Sequence, residues 1–142
     1  MRLMQIKSYN KKISKFIFTL RNKNYVRNNS ITIKKIQLSD HEKWFDSFLK
    51  RKNILYLICK GNFFIGYVRL EKLKEHFNVS WAILKKYQKK GFAKKSLRIA
   101  TKSKKFKYKA LIKKNNLASV QIAKKAGFQR KCIRKNIYYY FK

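Results

Sequence analysis

The fold of this chain is decided by the stretch Tyr87-Gln88-Lys89-Lys90-Gly91-Phe92-Ala93. The stretch follows an apolar run, Val79–Leu84, and precedes apolar residues that recur at helical spacing to about Ser103. A strand, a short loop and a helix in this order place the N-terminus of the helix at the end of the strand. The stretch therefore predicts a loop whose main-chain N–H groups converge on one ligand.

Glycine is scarce in this chain, which has four glycines and no proline. Gly91 therefore predicts a backbone position with positive φ or a close approach to a ligand. The helix dipole favours an anion at this point by roughly 1–2 kcal/mol, and Lys89, Lys90 and Lys94 add positive charge. The loop thus predicts a phosphate-bearing cofactor rather than a metal or a purely hydrophobic ligand. It lacks Gly-Lys-Ser/Thr and the three-glycine fingerprint, which argues against nucleoside triphosphates and NAD.

A second motif begins at Asn116, which is a plausible N-cap, and continues through Ser119 to Gly127-Phe128. Gly127 is a plausible left-handed stop for the same helix. A strand-like segment, Tyr108–Lys113, separates this motif from the first one. The pair predicts two helices, each following a strand of one sheet.

The first motif, residues 88–93, resembles the Gln/Arg-x-x-Gly-x-Gly/Ala pyrophosphate loop of the GCN5-related N-acetyltransferases (GNAT). The second motif resembles the same family's later Asn…Ser…Gly-Phe helix. Both motifs occur in the family's order, and the resemblance covers about residues 54–128. It implies an α/β (α+β) fold with a mixed, mostly antiparallel central sheet, helices on both faces, and strands that splay around a CoA site.

The remaining sequence is consistent with that fold. Residues 54–59 and 63–70 are rich in aromatic and β-branched residues around Lys60-Gly61-Asn62, which indicates a hairpin. We expect a third antiparallel strand over 77–84, a strand near 107–113, and a last strand or strand pair within 129–141. Ser39 or Asp40 predicts the start of a helix that carries Trp44, Phe45, Phe48 and Leu49 on one face. A further helix or irregular stretch is expected within 18–30.

Length and composition predict one domain over residues 1–142, with a mass of 17.2 kDa and 45% hydrophobic residues. No apolar run approaches the roughly 20 residues that a membrane span requires. The apolar segment 13–20 lacks a small-residue cleavage site, so no signal peptide is predicted. Cys59 and Cys132 have no metal or redox spacing, which favours two reduced thiols in a cytoplasmic protein.

The net charge of +34, from 39 basic and five acidic residues, is typical of proteins that bind nucleic acid. A non-enzymatic basic nucleic-acid-binding module is therefore an alternative function. Against it, lysine greatly outnumbers arginine, the charge is spread along the whole chain, and no nucleic-acid-binding signature accompanies it. Abundant Lys, Asn and Ile without Pro are also typical of coding in an AT-rich genome. Non-specific attraction to polyanions is expected in either case.

The family resemblance implies transfer of an acetyl group from acetyl-CoA to a primary amine. The pyrophosphate of the cofactor would be bound by Gln88, Lys89, Lys90, Gly91, Phe92, Ala93 and Lys94. The N–H of Ile83 or of an adjacent residue would donate to the thioester carbonyl. Asn116 and Ser119 match positions near the cofactor, although Asn116 could equally be only a helix cap.

The resemblance leaves the acid and the base open. The attacking amine must lose a proton, and Glu71 is the leading candidate for the base, either directly or through water. Glu71 could equally be a solvated turn carboxylate paired with a lysine. The family's frequent Tyr, seven residues after Asn116, is replaced here by Ala123, so release of the thiolate would depend on water or on another tyrosine, such as those at 138–140.

The acceptor half resembles, over 20–27 and 40–45, the branch that acetylates nucleotide-linked amino sugars, as in pseudaminic acid biosynthesis. Ribosomal-protein N-terminal acetyltransferases share a looser form, so a protein or peptide amine is an alternative acceptor. Arg21, Arg27 and Arg69 would contact a nucleotide diphosphate, or they would instead pair with Asp40, Asp46 or Glu71. His41 and Trp44 would serve the acceptor pocket, or they would cap the helix and pack in the core.

Overall fold

The computed structural model describes residues 1–142 and contains one seven-stranded sheet with the strand order β1-β2-β3-β4-β5-β7-β6. The strands are β1 (Arg2–Ile6), β2 (Ile54–Lys60), β3 (Phe63–Lys72), β4 (Phe77–Ile83), β5 (Tyr108–Lys113), β6 (Gln129–Arg134) and β7 (Ile137–Phe141). The helices are α1 (Lys11–Arg21), α2 (Asn24–Arg27), α3 (Leu38–Lys50), α4 (Phe92–Ala100) and α5 (Leu117–Lys125), and a 3₁₀ turn covers Lys85–Tyr87.

Neighbouring strands are antiparallel except at one position in the sheet. Strands β4 and β5 run parallel and pair through only two residue pairs, Phe77 with Tyr108 and Asn78 with Lys109. Beyond Asn78 the two strands separate, and the main chain of β4 faces a gap. This splayed pair divides the sheet and creates the space for a site, as the resemblance implied.

Helices cover both faces of the sheet, which confirms the expected fold class. On one face α1 and α3 bury Ile17 and Phe45 against β2 and β3. On the other face α4 and α5 bury Leu97 and Ala123 against β3, β4 and β5. Each of these four helices has charged residues towards solvent, so the +34 charge surrounds two apolar layers. No helix is long and apolar enough to cross a membrane.

The hairpin and both motif helices are confirmed. The turn between β2 and β3 contains Gly61 with φ of +57°, and Gly127, with φ of +98°, follows the C-terminal end of α5. The final segment forms the pair β6 and β7. These are the elements whose turn chemistry or hydrophobic alternation is local in the sequence.

Several expectations near the N-terminus and at helix ends were wrong in detail. Strand β1 and the start of α1 were not predicted, and α1 begins after Asn10, whose side chain accepts a hydrogen bond from the Ile13 N–H. Helix α3 begins at Leu38, with no side-chain cap, rather than at Ser39 or Asp40. Helix α4 ends at Ala100, short of residue 103, because the main chain leaves the helical conformation at the next residue, Thr101.

Candidate active site

A cleft of about 830 Å³ opens where β4 and β5 separate, and it extends from the loop before α4 to the segment that joins α2 and α3. Twelve of the residues predicted for the site line this cleft: Arg21, Arg27, Arg69, Ile83, Gln88, Lys89, Gly91, Phe92, Ala93, Lys94, Asn116 and Ser119. Lys90, His41, Trp44 and Glu71 do not line it. The cleft is thus continuous between the expected cofactor half and the expected acceptor half.

The loop before α4 presents an uninterrupted series of free main-chain donors. The N–H groups of residues 89–94 make no hydrogen bond to the protein main chain, and the first helical bond of α4 is from Lys95 N to Gly91 O. Lys89 and Gly91 have positive φ angles, of 59° and 80°, which turn the loop back into the helix. Six donors at a helix N-terminus fit a diphosphate, because each oxygen can accept more than one hydrogen bond.

The side chains around the loop hold its shape. The Gln88 side-chain amide donates to the Ile83 carbonyl at 3.2 Å and so ties the loop to the end of β4. The Lys90 ammonium lies 5.8 Å from the centre of the Tyr87 ring rather than in the cleft. Lys89 and Lys94, which line the cleft, add charge there. The residues present therefore fit a pyrophosphate-bearing co-substrate.

The Ile83 N–H points into the gap between β4 and β5. The Leu84 N–H donates to the Ile65 carbonyl of β3, whereas the Phe77 N–H donates to Lys107 on the β5 side. Because main-chain groups alternate along a strand, odd-numbered residues of β4 direct their N–H groups away from β3. Ile83 therefore has a free donor beside the cleft, with its carbonyl already bonded to Gln88.

Asn116 and Ser119 lie at the start of α5 and line the cleft. The Asn116 side-chain oxygen accepts a hydrogen bond from the Ser119 N–H at 3.3 Å. The N-cap role is thus observed. Asn116 also lines the cleft, which is compatible with a contact to the cofactor. That contact stays a prediction.

Arg21 and Arg69 lie together in the acceptor half without a carboxylate partner. Their guanidinium carbons lie 4.3 Å and 5.4 Å from the centre of the Trp44 ring. The protein has one ion pair within 4 Å, between Lys50 and Asp46 at 2.8 Å. The alternative that these arginines pair with Asp40, Asp46 or Glu71 is therefore wrong.

His41 and Trp44 lie behind the arginines. His41 is fully buried, and its Nε2 atom lies 2.9 Å from the Ser14 carbonyl oxygen, while its Nδ1 atom lies 3.4 Å from a terminal nitrogen of Arg21. Burial and the charge of Arg21 lower the pKa of His41, so the ring is neutral near pH 7. Because both guanidinium groups lie over Trp44, a direct stacking of Trp44 on substrate does not fit the structure.

Tyr67 is a cleft residue that sequence reasoning missed. It lies on β3 two residues before Arg69, so both side chains are on the same face of the sheet. Burial raises the pKa of Tyr67, which keeps the phenol protonated, and burial together with Arg69 lowers the pKa of Arg21 to about 10. Arg21 stays cationic at neutral pH. Because residues two apart on a strand share a face, the predicted site residue Arg69 already indicated position 67.

Apart from Arg27, segment 25–36 was not predicted as a wall of the cleft. Tyr25, Ile31 and Thr32 line the acceptor half, and the Tyr25 hydroxyl accepts a hydrogen bond from the Lys85 N–H at 3.1 Å. Arg27 donates to the Ile33 carbonyl at 3.1 Å, so it supports this segment. Polar and apolar residues follow no helical or strand period over residues 25–36, so no single element could be predicted there.

Glu71 lies in a smaller pocket of about 120 Å³, beside Arg69, Asn78 and Ser80. It is five residues along β3 from Gly66, which is paired with Ile83. At about 3.3 Å per residue, this separation is roughly 16 Å. The structure therefore does not bring Glu71 to the Ile83 end of the cleft, and a role as base would require a chain of water molecules.

The position expected for a general acid is confirmed as apolar, since Ala123 is fully buried in α5. None of the tyrosines 138–140 on β7 lines the cleft. Three other tyrosines, Tyr25, Tyr67 and Tyr87, line the cleft. Release of the thiolate thus has no donor at the usual family position.

Comparisons with known proteins agree with this geometry. A family model described as "Acetyltransferase (GNAT) domain" matches residues 12–129. The comparison with curated proteins finds no match.

Solved structures share the fold over nearly the whole chain. An acetyltransferase of the GNAT family from Bacillus anthracis has 21% identity over 100% of this chain and 95% of that chain, with a TM-score of 0.78. A spermidine N-acetyltransferase from Vibrio cholerae, in complex with CoA and spermine, has 14% identity over 99% and 94%, with a TM-score of 0.82. An aminoglycoside acetyltransferase in complex with coenzyme A has 12% identity over 99% and 94%, with a TM-score of 0.78. The family model covers most of the chain, and the splayed sheet and the free N–H groups before α4 agree with it: the chain belongs to the GNAT acetyltransferase family and uses acetyl-CoA as co-substrate.

Proposed function

We propose that this acetyltransferase transfers the acetyl group of acetyl-CoA to the primary amine of a nucleotide-linked amino sugar in the cytoplasm, with residues 1–142 acting as one domain. One observation carries the choice of acceptor: no aspartate, glutamate or histidine lines the 830 Å³ cleft, whereas Arg21, Arg27 and Arg69 do. Such a wall favours an acceptor with negative charge. The two free cysteines, Cys59 and Cys132, are consistent with a reducing compartment.

The acceptors named for the structural neighbours have the opposite charge. Spermine and aminoglycosides are polycations, and binding them favours carboxylates in the cleft. This cleft presents cations instead. A phosphate-linked sugar amine, which combines negative phosphates with one nucleophilic nitrogen, suits it better.

In the proposed reaction the amine nitrogen forms a bond to the acetyl carbon, the bond between that carbon and sulfur breaks, and CoA leaves as the thiolate. The amine nitrogen loses a proton. The bound co-substrate supplies the activated acetyl group. The free N–H groups of residues 89–94 would hold its pyrophosphate, and the Ile83 N–H would donate to the thioester carbonyl oxygen and stabilise negative charge there. Glu71 would accept the proton through a chain of water molecules that leads from the Ile83 end of the cleft to the small pocket beside Arg69.

The first test is acetyl-CoA binding by calorimetry at about 0.3 M salt, which screens non-specific attraction to phosphates. Gly91→Glu should abolish binding, because it places a carboxylate at the anion site and strains a residue with φ of +80°. Gly61→Glu is the matched control: its φ is +57°, an added Cβ meets no atom within 4 Å at either glycine, and residue 61 lies in a hairpin outside the cleft.

Turnover then tests the acceptor. A UDP-linked amino sugar with a free amine should be acetylated in preference to spermine and to a peptide with a free N-terminus. Preference for the peptide would replace the proposal by the protein N-acetyltransferase alternative. Preference for spermine would contradict the argument from the charge of the cleft.

A further inference from the structure

Arg21 and Arg69 are cations that the fold itself leaves uncompensated. They come from α1 and β3, on separate elements, and meet over the Trp44 ring of α3. Burying a guanidinium without a counter-ion costs free energy, and this cost is visible in Arg21, whose pKa burial lowers to about 10. The chain has only five acidic residues, and none lies within 4 Å of either arginine, so no carboxylate of the protein pairs with them.

The two guanidinium groups are held in place by neutral groups rather than by carboxylates. Arg69 donates through Nε to the Ser80 hydroxyl at 3.0 Å, which leaves its two terminal nitrogens free. Arg21 contacts the Nδ1 atom of His41 at 3.4 Å. These contacts orient the cations without neutralising them, which is the arrangement that a preorganised anion site requires.

The orientation of the His41 ring is fixed by hydrogen-bonding partners on both ring nitrogens. Its Nε2 atom lies 2.9 Å from the Ser14 carbonyl, so the proton belongs on Nε2 and the lone pair of Nδ1 faces Arg21. The Ser14 hydroxyl donates in turn to Glu42 at 2.9 Å. The rings of Phe18, Trp44 and Phe45 pack around the imidazole. His41 therefore acts on the cleft only through Arg21.

Arg27 differs from this pair. Its Nε donates to the Ile33 carbonyl and a terminal nitrogen donates to the Asn24 side chain, and both contacts are exposed. It supports the wall of the cleft. Arg27 thus donates through two of its three nitrogens to its own segment, whereas Arg21 and Arg69 make no hydrogen bond to a main-chain carbonyl or a carboxylate.

We propose that Arg21 and Arg69, with the phenol of Tyr67 beside them, form one built subsite for an anionic group of the acceptor, a phosphate or a carboxylate, and that His41 is the positioning residue for Arg21. This deepens the proposed function and rests on it, since the acceptor is taken to occupy this half of the cleft. Acceptors without an anion lose this contact, and polycations are repelled.

The test measures binding of inorganic phosphate and, separately, of malonate to the protein saturated with CoA, by calorimetry at about 0.3 M salt. CoA fills the loop at residues 89–94, so a second anion reports the arginine pair. Arg21→Gln and Arg69→Gln should each weaken anion binding by about tenfold or more, because each removes charge-assisted hydrogen bonds. Lys34→Gln, which removes one charge from the same cleft, should change it by less than about threefold. The anion that binds identifies the chemistry of the acceptor group.

The positioning role has its own variants. His41→Phe keeps an aromatic ring in the packed site but removes the acceptor for Arg21, whereas His41→Asn can place an oxygen near the position of Nδ1. We expect His41→Phe to weaken anion binding nearly as much as Arg21→Gln, His41→Asn to restore part of it, and the double variant His41→Phe/Arg21→Gln to be no weaker than Arg21→Gln alone. CoA affinity should be unchanged in all three.

Three results would overturn the proposal: neither anion binds to the wild type, Lys34→Gln weakens binding as much as Arg21→Gln, or His41→Phe and Arg21→Gln are additive. Failure of the proposed function gives a different result. If CoA itself does not bind, the phosphate titration on the free protein and its Arg21 and Lys34 variants still decides whether the subsite exists.

Discussion

At the scale of single residues, Gly91 and Gly61 offer a controlled comparison. Both have positive φ, and an added Cβ meets no atom within 4 Å at either position. Substitution by alanine therefore tests backbone conformation without a steric clash. Only Gly91 lies at the N-terminus of α4 and lines the cleft.

We predict that Gly91→Ala and Gly61→Ala each lower the free energy of unfolding by about 1 kcal/mol, since a residue with a Cβ is strained at positive φ. Only Gly91→Ala should also weaken acetyl-CoA binding, because a shift of the loop misaligns several N–H donors. Urea denaturation and calorimetry measure the two effects. Equal loss of affinity in both variants would show that the loop does not bind the cofactor.

The buried His41 predicts acid sensitivity. Its pKa is lowered by burial and by Arg21, with Glu42 and the Ser14 carbonyl acting in the opposite direction. Below pH about 6.5 the unfolded chain binds a proton that the folded chain does not, so stability decreases as the pH falls, by at most about 1.4 kcal/mol per pH unit for this group. Above that pH, His41 is neutral in both states and does not make the free energy of unfolding depend on pH.

We therefore expect the free energy of unfolding to fall more steeply between pH 7 and pH 5 in the wild type than in His41→Asn. The pKa of His76 is also lowered, chiefly by burial. Because His76 is present in both proteins, its contribution to the pH dependence cancels when the two are compared. Urea titrations at several pH values measure the free energy of unfolding of each protein. Parallel curves would mean that His41 takes up its proton without disturbing the α1–α3 contact.

At the scale of elements, α5 depends on a single side chain for its first turn. Asn116 caps the helix through Ser119 and also lines the cleft. We predict that Asn116→Ala lowers the free energy of unfolding by about 1 kcal/mol, whereas Asn116→Asp retains the cap. Asn116→Asp should nevertheless weaken acetyl-CoA binding, because it brings a carboxylate towards an anionic ligand.

Thermal unfolding and calorimetry on the two variants separate the cap from the cofactor contact. A stable Asn116→Asp protein with normal acetyl-CoA affinity would leave Asn116 as a cap alone. Reduced affinity in that variant, at unchanged stability, would assign the contact.

How far the sequence predicts each element follows from the range of its interactions. The hairpin at Gly61 and the loop at Gly91 depend on neighbours in the chain, and both were predicted. Strand β1 was missed because it is an edge strand whose partner, β2, lies some 50 residues away. The approach of Arg21 and Arg69 to the Trp44 ring joins three elements, and no local pattern can indicate such a meeting.

At the scale of the whole molecule, the chain carries a net charge of +34 and has a single ion pair within 4 Å. Repulsion between like charges opposes the compact state, and salt screens it. We predict that the melting temperature rises as ionic strength increases from about 10 mM to about 0.5 M, without added ligand. Differential scanning calorimetry measures the change. A constant melting temperature would show that the lysines are too far apart or too well solvated to matter.

The free main-chain donors of residues 89–94 also bear on how this sequence can change under mutational drift. Every residue type except proline supplies the same N–H group, so substitutions that keep the backbone path leave the cofactor half intact. In the proposed acceptor subsite, recognition would instead depend on the side chains of Arg21 and Arg69. A lineage with this fold can therefore exchange one acceptor for another by a few substitutions while its use of acetyl-CoA is inherited unchanged.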